Sequence, residues 1–327
     1  MKVLVTGGAG YIGSVVAREL IRAGHQVLVY DNLSRGHRRA VPQNAELLVG
    51  DVEDRKTLEA VFQKQPIDAV MHFAALIEVG ESMKNPERYF RNNTAGTLTL
   101  LEVMLERGVN RLVFSSTAAL YGDPEQTPIE ETARLQPASA YGESKYLVER
   151  MLRWFNASHG LRYASLRYFN AAGACSPDQG EAHQPESHLL PLILKVVLGQ
   201  RESIAIYGTD YPTPDGTCVR DYVHVSDLAS AHLRALDALT HWDRLVYNLG
   251  NGHGFSVRQV VEVARRLTGH RIPALESPRR FGDPAVLVAS SDKIRRELGW
   301  HPKFPDLENI IASAWEWHRR NPHGYKD

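Results

Sequence analysis

At 327 residues the chain is longer than one small core needs, so one large α/β domain with a smaller appendage is expected. Lys and Arg number 38 against 38 Asp and Glu, which leaves no net field to draw a polyanion and argues against a nucleic acid partner. The opening MKVLVTGGAG turns glycine-rich too soon for a signal peptide, and no apolar run approaches the roughly 20 residues of a membrane span, so a cytoplasmic protein without a membrane partner is expected.

Strand-like apolar runs at 2–6, 26–30, 46–49, 69–73, 111–115 and 163–167 alternate with helical stretches such as 12–23, 86–107 and 141–159. That alternation predicts an α/β chain with a doubly wound parallel sheet, Rossmann-like, followed by a smaller mixed C-terminal substrate domain. After Phe169 the chain loosens into Gly-, Pro- and Asp-rich stretches at 171–186 and 208–216. A helix at 225–241 and a strand at 245–249 then return to the main sheet. The expected division is 1–168 joined by 222–250 for the dinucleotide-binding domain, with 169–221 and 251–327 forming the other. Cys175 and Cys218 lack CxxC spacing, and the 14 histidines form no HExxH or His/Cys cluster, so neither a disulfide framework nor a metal site is expected.

Gly7, Gly10 and Gly13 in TGGAGYIG follow the first strand and open the first helix. Glycine there lets the chain turn, approach a pyrophosphate and pack helix on strand, while the helix start attracts phosphate oxygens. Asp31 ends the second strand at about the offset where an acid meets the adenosine ribose, and its charge opposes the extra phosphate of NADP, so NAD is the expected cofactor. Asp51 and Val52 close the third strand; Asp51 suits either an adenine contact or a helix cap.

Tyr141 and Lys145 stand four apart in YGESK at the start of a helix, on one face. A phenol must lose about three pKa units, roughly 4 kcal/mol, to act as a base near pH 7. A nearby ammonium supplies about that only in a sheltered cleft. Thr117, at the end of the fifth strand in FSSTAALYG, is the candidate third member because its hydroxyl can bond a substrate hydroxyl or carbonyl.

Taken together, GGAGYIGS, DNLSRGH, HFAA, SSTAALYG, YGESK, RYFNAAGA and DGTCVRDYVHVSDLA resemble the UDP-glucose 4-epimerases of the extended short-chain dehydrogenase/reductase family. The resemblance runs from Met1 to about Trp300. It implies tightly held NAD, a UDP-hexose between the domains, and a homodimer joined through the helices at 86–107 and 141–159. It carries the catalytic hydroxyl to Thr117, the tyrosine to Tyr141 and the lysine to Lys145. Thr117 is a mild departure from the usual serine. By the same mapping Tyr11, Ile12, Asp31, Asn32, Asp51, Val52, Phe73, Ala74, Ala75, Asn93 and Tyr168 contact NAD, whereas Ile77 stands where a cofactor-binding lysine is common. Asn170, Leu189, Tyr207, Arg220, Arg280 and Asp283 are matched to the sugar nucleotide, with Tyr207 near the uracil and the arginines on the diphosphate. His188 replaces a common asparagine. Leu287 falls where the family faces the sugar 2-substituent, and it lacks the tyrosine ring of members restricted to plain hexoses. A nucleotide-sugar dehydratase or decarboxylase shares these motifs but needs a further acid or base, and none adjoins Thr117 in SSTAALYG. A noncatalytic NAD-binding redox sensor would not need Thr117, Tyr141 and Lys145 together.

Overall fold

The computed structural model of the chain describes residues 1–280 and 282–326. The first half supplies β1 (Lys2–Thr6), β2 (Gln26–Asp31), β3 (Glu46–Val49), β4 (Ala69–His72), β5 (Arg111–Thr117) and β6 (Arg162–Tyr168). The second half supplies β7 (Asn170–Ala172), β8 (Ile204–Tyr207), β9 (Val219–His224), β10 (Arg244–Leu249), β11 (Gly254–Ser256), β12 (Ala274–Ser277) and β13 (Val286–Leu287). One seven-stranded parallel sheet runs in the order β10-β6-β5-β4-β1-β2-β3. Its order therefore reverses between β1 and β4, where the carboxyl ends of the strands open a crevice.

The strands read as continuous apolar runs because both faces of the sheet are covered. Val3, Val5, Val29 and Met71 pack on one side with Val15 and Val16 of the helix Tyr11–Arg22 and Leu228 of the helix Val225–Ala238. Leu4, Leu28, Val70 and Leu112 pack on the other with Leu58, Leu100 and Val148 from the helices Arg55–Lys64, Gly96–Glu106 and Ala140–His159. Each such side chain contributes about 1.5–3 kcal/mol by leaving water.

The stretch read as one helix at 86–107 is instead Pro86–Tyr89, a π-helical segment Phe90–Ala95 and then Gly96–Glu106. Its wide turn coincides with Asn93 and Thr94, whose side chains bond Leu76 and Ser144 rather than solvent. In the second half β9 pairs with β7, β11 and β13, while β8 pairs with β12. A separate core of Leu190, Ile193, Val260, Ile310 and neighbours unites the helices Leu189–Val197, Val257–Thr268 and Leu307–Arg320. Among the described residues no helix is long and apolar enough to cross a membrane.

Candidate active site

Beyond β1, Gly7 takes φ 71° and its N–H donates to the Tyr30 carbonyl at 2.8 Å, turning the chain into the helix Tyr11–Arg22. A Cβ on Gly7 would stand 2.5 Å from the Ala74 nitrogen, and one on Gly13 2.3 Å from the Gly7 carbonyl oxygen. Packing alone excludes side chains at both. A Cβ on Gly10 meets nothing nearer than that carbonyl at 3.3 Å, and Gly10 lines a cavity of about 1090 Å³. The helix begins without a side-chain cap or an acid in its first turn, so its N–H groups and positive dipole end remain for an anion.

Asp31 is buried yet borders this cavity; its Oδ2 accepts the Ala9 N–H at 2.9 Å and its Oδ1 the Leu33 N–H at 2.8 Å. Burial raises its pKa against these two bonds, and each oxygen keeps a lone pair for a ribose hydroxyl. The two readings of Asp51 also separate: Asp54 caps the next helix by accepting the Thr57 N–H at 3.2 Å. Asp51 accepts from Asn32 Nδ2 at 2.7 Å and Glu53 N–H at 2.9 Å, beside Val52 on the cavity wall. Tyr11, Ile12, Phe73, Ala74, Ala75, Ile77 and Tyr168 line it too. The bare glycine face, uncapped helix start and Asp31 carboxylate fit NAD.

Asn93 is buried behind this wall, next to Leu76 and Asn92, which line it. Its Oδ1 accepts the Leu76 N–H at 2.8 Å and its Nδ2 donates to the Leu76 carbonyl at 3.0 Å and to Ser144 Oγ at 3.0 Å. Through these bonds the Asn93 amide holds the loop after β4.

Ser139 Oγ accepts the Gly142 N–H at 3.1 Å and so starts the helix Ala140–His159 with Tyr141 and Lys145 one turn apart. Tyr141 hydrogen-bonds Thr117, and both border the cavity. Thr117 Oγ1 also accepts the Ala119 N–H at 3.1 Å, which leaves its own proton to donate. Lys145 sits behind the wall, 3% exposed, with Nζ donating to the Ser115 carbonyl at 2.9 Å and 4.8 Å from the Phe114 ring centre. Burial pushes the Lys145 amine down to about 7 and raises the Tyr141 phenol, the Thr117 bond acting the other way. An ammonium lowering the phenol was expected; in the folded chain the loss of water governs both groups, driving each toward its neutral form.

Beneath these groups lies support that the sequence did not reveal. Arg167 and Glu149, 5% and 9% exposed, pair at 2.6 Å, and Glu149 also accepts from Ser116 Oγ at 2.6 Å. This joins β5, β6 and the Tyr141 helix at one point. His232 donates from Nδ1 to the Leu228 carbonyl at 2.8 Å, so its Nε2 accepts from the Tyr168 hydroxyl. Residues far apart in sequence make these bonds, and no local spacing betrays them.

Asn170, Leu189, Tyr207, Arg220, Arg280, Asp283 and Leu287 line the same cavity beyond Tyr141. Arg220 lies 3.6 Å from Asp283, and Arg280 covers one face of the Tyr207 ring at 3.7 Å. Leu287 both borders the cavity and packs with Ala118, Tyr121, Ile129 and Phe169. His188 also stands at the wall, its Nδ1 2.5 Å from Glu181 Oε1. Burial lowers its pKa, but the Glu181 carboxylate outweighs that and raises it to about 9. Glu181, His183 and Glu186 beside it were not singled out from the sequence, although E-x-H-x-x-E-x-H packs them into eight positions.

A parallel sheet with a glycine-cradled helix start, Asp31 and a Thr/Tyr/Lys set at the strand ends defines an NAD-dependent short-chain dehydrogenase/reductase-type enzyme. Residues 3–250 match the NAD dependent epimerase/dehydratase family, and the chain belongs to it. A UDP-glucose 4-epimerase of Streptomyces lividans is 54% identical, across 100% of this chain and 98% of the relative. A UDP-glucose 4-epimerase crystal structure superposes with TM-score 0.97 at 49% identity, covering 100% of both chains. The Bifidobacterium longum UDP-glucose 4-epimerase, solved with NAD+ and UDP, superposes with TM-score 0.96 at 39% identity over 99% of this chain and 100% of that one.

Proposed function

We propose that the chain interconverts UDP-glucose and UDP-galactose by inverting C4, with NAD retained through the cycle. The observation that carries this is one continuous cavity reaching from Gly10 and Asp31, past Thr117 and Tyr141, to Arg220 and Arg280. UDP-glucose 4-epimerases matching nearly the full chain support the same reading. NAD, when bound, supplies the hydride acceptor and donor at C4 together with a positive ring charge. The protein's own work is to move the proton and hold the nucleotide. Tyr141 takes the O4 proton and later returns it, Thr117 bonds the same oxygen, and Lys145 sets the charge balance behind them. The guanidinium groups of Arg220 and Arg280 suit the diphosphate oxygens, and Asn170, Leu189, Tyr207 and Asp283 surround the nucleotide. A firmly held diphosphate with a loosely held hexose lets the 4-keto sugar turn and present its other face.

The reading extends to the whole chain: segments 1–168 and 222–250 hold NAD, segments 169–221 and 251–327 hold the sugar nucleotide, and the protein works as a cytoplasmic homodimer in galactose metabolism. Leu287 leaves room at the sugar 2-position but offers no hydrogen bond to an amide. UDP-N-acetylglucosamine should then turn over about 10–200-fold less efficiently than the plain hexoses. Purified protein incubated with UDP-galactose, UDP-glucose and UDP-N-acetylglucosamine, without added cofactor, tests the proposal. Formation of the C4 epimers supports it, and no conversion of either plain hexose defeats it.

A further inference from the structure

Segment 181–188 folds four ligand-type side chains onto one point of the cavity wall, separate from Tyr141 and Thr117. One donor atom from each of Glu181, His183, Glu186 and His188 lies within 4.8 Å of every other. Two carboxylates converge there, and among the described residues their ion-pair partners are the two imidazoles alone, with no lysine or arginine. One imidazole is engaged, His188 Nδ1 at 2.5 Å from Glu181 Oε1. The other is not: His183 Nδ1 is buried and has no hydrogen-bond partner, although Glu181 Oε1 lies 3.1 Å away. Two carboxylates and two imidazoles converging on one point, one buried ring nitrogen among them without a hydrogen-bond partner, form an arrangement a cation completes.

We propose that Glu181, His183, Glu186 and His188 bind one divalent transition-metal ion of the zinc type. Four-coordinate zinc holds nitrogen and oxygen at about 2.0–2.2 Å, which puts ligand atoms roughly 3.3–3.5 Å apart. The four ligand atoms lie within 4.8 Å of one another, close to that spacing. Two imidazoles with two carboxylates select a zinc- or cobalt-like ion over calcium or magnesium, which prefer oxygen alone. The surrounding backbone is already held. Trp317 Nε1 donates to the Glu181 carbonyl at 2.9 Å, His37 Nε2 donates to the Ala182 carbonyl at 2.9 Å, and Arg35 donates to the Gln184 carbonyl. Glu186 Oε1 accepts the Ser187 and His188 N–H groups, each at 2.8 Å. The His183 ring meets Tyr11 of the cofactor loop edge-on at 6.2 Å between centres, so an ion here would fasten segment 181–188 beside that loop.

The test uses the NAD-loaded protein after treatment with a chelator, titrated with ZnCl2 and CoCl2 by calorimetry and, for cobalt, by visible absorption. One equivalent of each metal and the intense cobalt bands of a four- or five-coordinate site are expected, with no heat from MgCl2. His183→Ala and Glu186→Gln should each weaken zinc binding by at least about tenfold. Retained NAD and an unchanged circular dichroism spectrum would show that both variants fold. His183→Ala gives up the 3.1 Å contact with Glu181, and glutamine at 186 keeps an acceptor for the Ser187 and His188 N–H groups, so the two variants disturb the metal-free fold differently and a shared loss of zinc binding points to the metal. Weak octahedral cobalt bands in the wild type, a stoichiometry far below one, or variants that bind zinc as the wild type does would each overturn the proposal.

Discussion

Tyr141 and Lys145 share a helix face but meet different surroundings, the phenol at the cavity and the amine bonded to the Ser115 carbonyl behind it. The proposed proton transfer needs the phenol hydroxyl itself, whereas the ring also packs. Tyr141→Phe should therefore lower turnover by at least about two orders of magnitude while leaving the melting temperature near that of the wild type, measured by steady-state kinetics and calorimetry. Lys145→Met should damage turnover comparably, and its pH–rate profile tells why. A displaced profile marks the lysine as setting the phenol's proton affinity; an unchanged one limits it to positioning.

Elements respond to substitution according to what their backbones touch. Gly13 and Gly10 stand three apart in one turn, yet an added Cβ clashes at 2.3 Å in the first case and at only 3.3 Å in the second. Gly13→Ala should cost about 1–3 kcal/mol or more in urea unfolding, as overpacking does. Gly10→Ala should stay within about 0.5 kcal/mol yet weaken NAD binding, because its methyl enters the cavity. Retention of NAD by Gly10→Ala would separate that glycine from the pyrophosphate.

Asp221 of β9 shows the pH consequence of burial in such an element. It accepts the Asn251, Gly252 and Ala289 N–H groups at 2.8, 3.0 and 3.1 Å, but burial outweighs them and raises its pKa to about 6 from 3.8. Between those values the folded chain holds a proton that the unfolded chain has released. Its contribution to stability is therefore full below about 3.8 and declines until the pH passes about 6. The advantage of the wild type over Asp221→Asn should shrink from about pH 4 to pH 6 and then level off in urea titrations. Asparagine presents an N–H to backbone donors, so the variant should remain destabilised by roughly 1–3 kcal/mol above that range.

For the whole molecule, the proposed homodimer has a surface to use. Leu98 and Leu105 are 37% and 43% exposed on the helix Gly96–Glu106, and Trp154 is 63% exposed on the helix Ala140–His159. Burying such side chains against a second copy recovers apolar area that the single chain leaves in water. The pair Leu98→Asp and Trp154→Asp should halve the mass seen in sedimentation. A wild type that sediments as a monomer at the same concentration would end the homodimer reading.

Where neighbours in the chain decide the structure, the sequence alone determined it. The bounds of β1 and β3, the turn at Gly7 and the one-turn spacing of Tyr141 and Lys145 follow from short-range sterics and helix or strand period. Asp31 was legible for the same reason, since one strand–helix–strand unit sets its distance from the glycine loop. Tertiary structure alone decided which groups meet across the sheet. Folding ties the Asn93 amide to Leu76, and Asp51, which the sequence left as either an adenine contact or a helix cap, is not the cap because Asp54 takes that place. The Glu149–Arg167 pair, the Tyr168–His232 bond and the convergence of Glu181, His183, Glu186 and His188 depend on packing that no helix or strand period encodes. Burial depth, which sets the proton affinities of Tyr141, Lys145 and Asp221, belongs to the assembled molecule because it sums over chain segments far apart in the sequence.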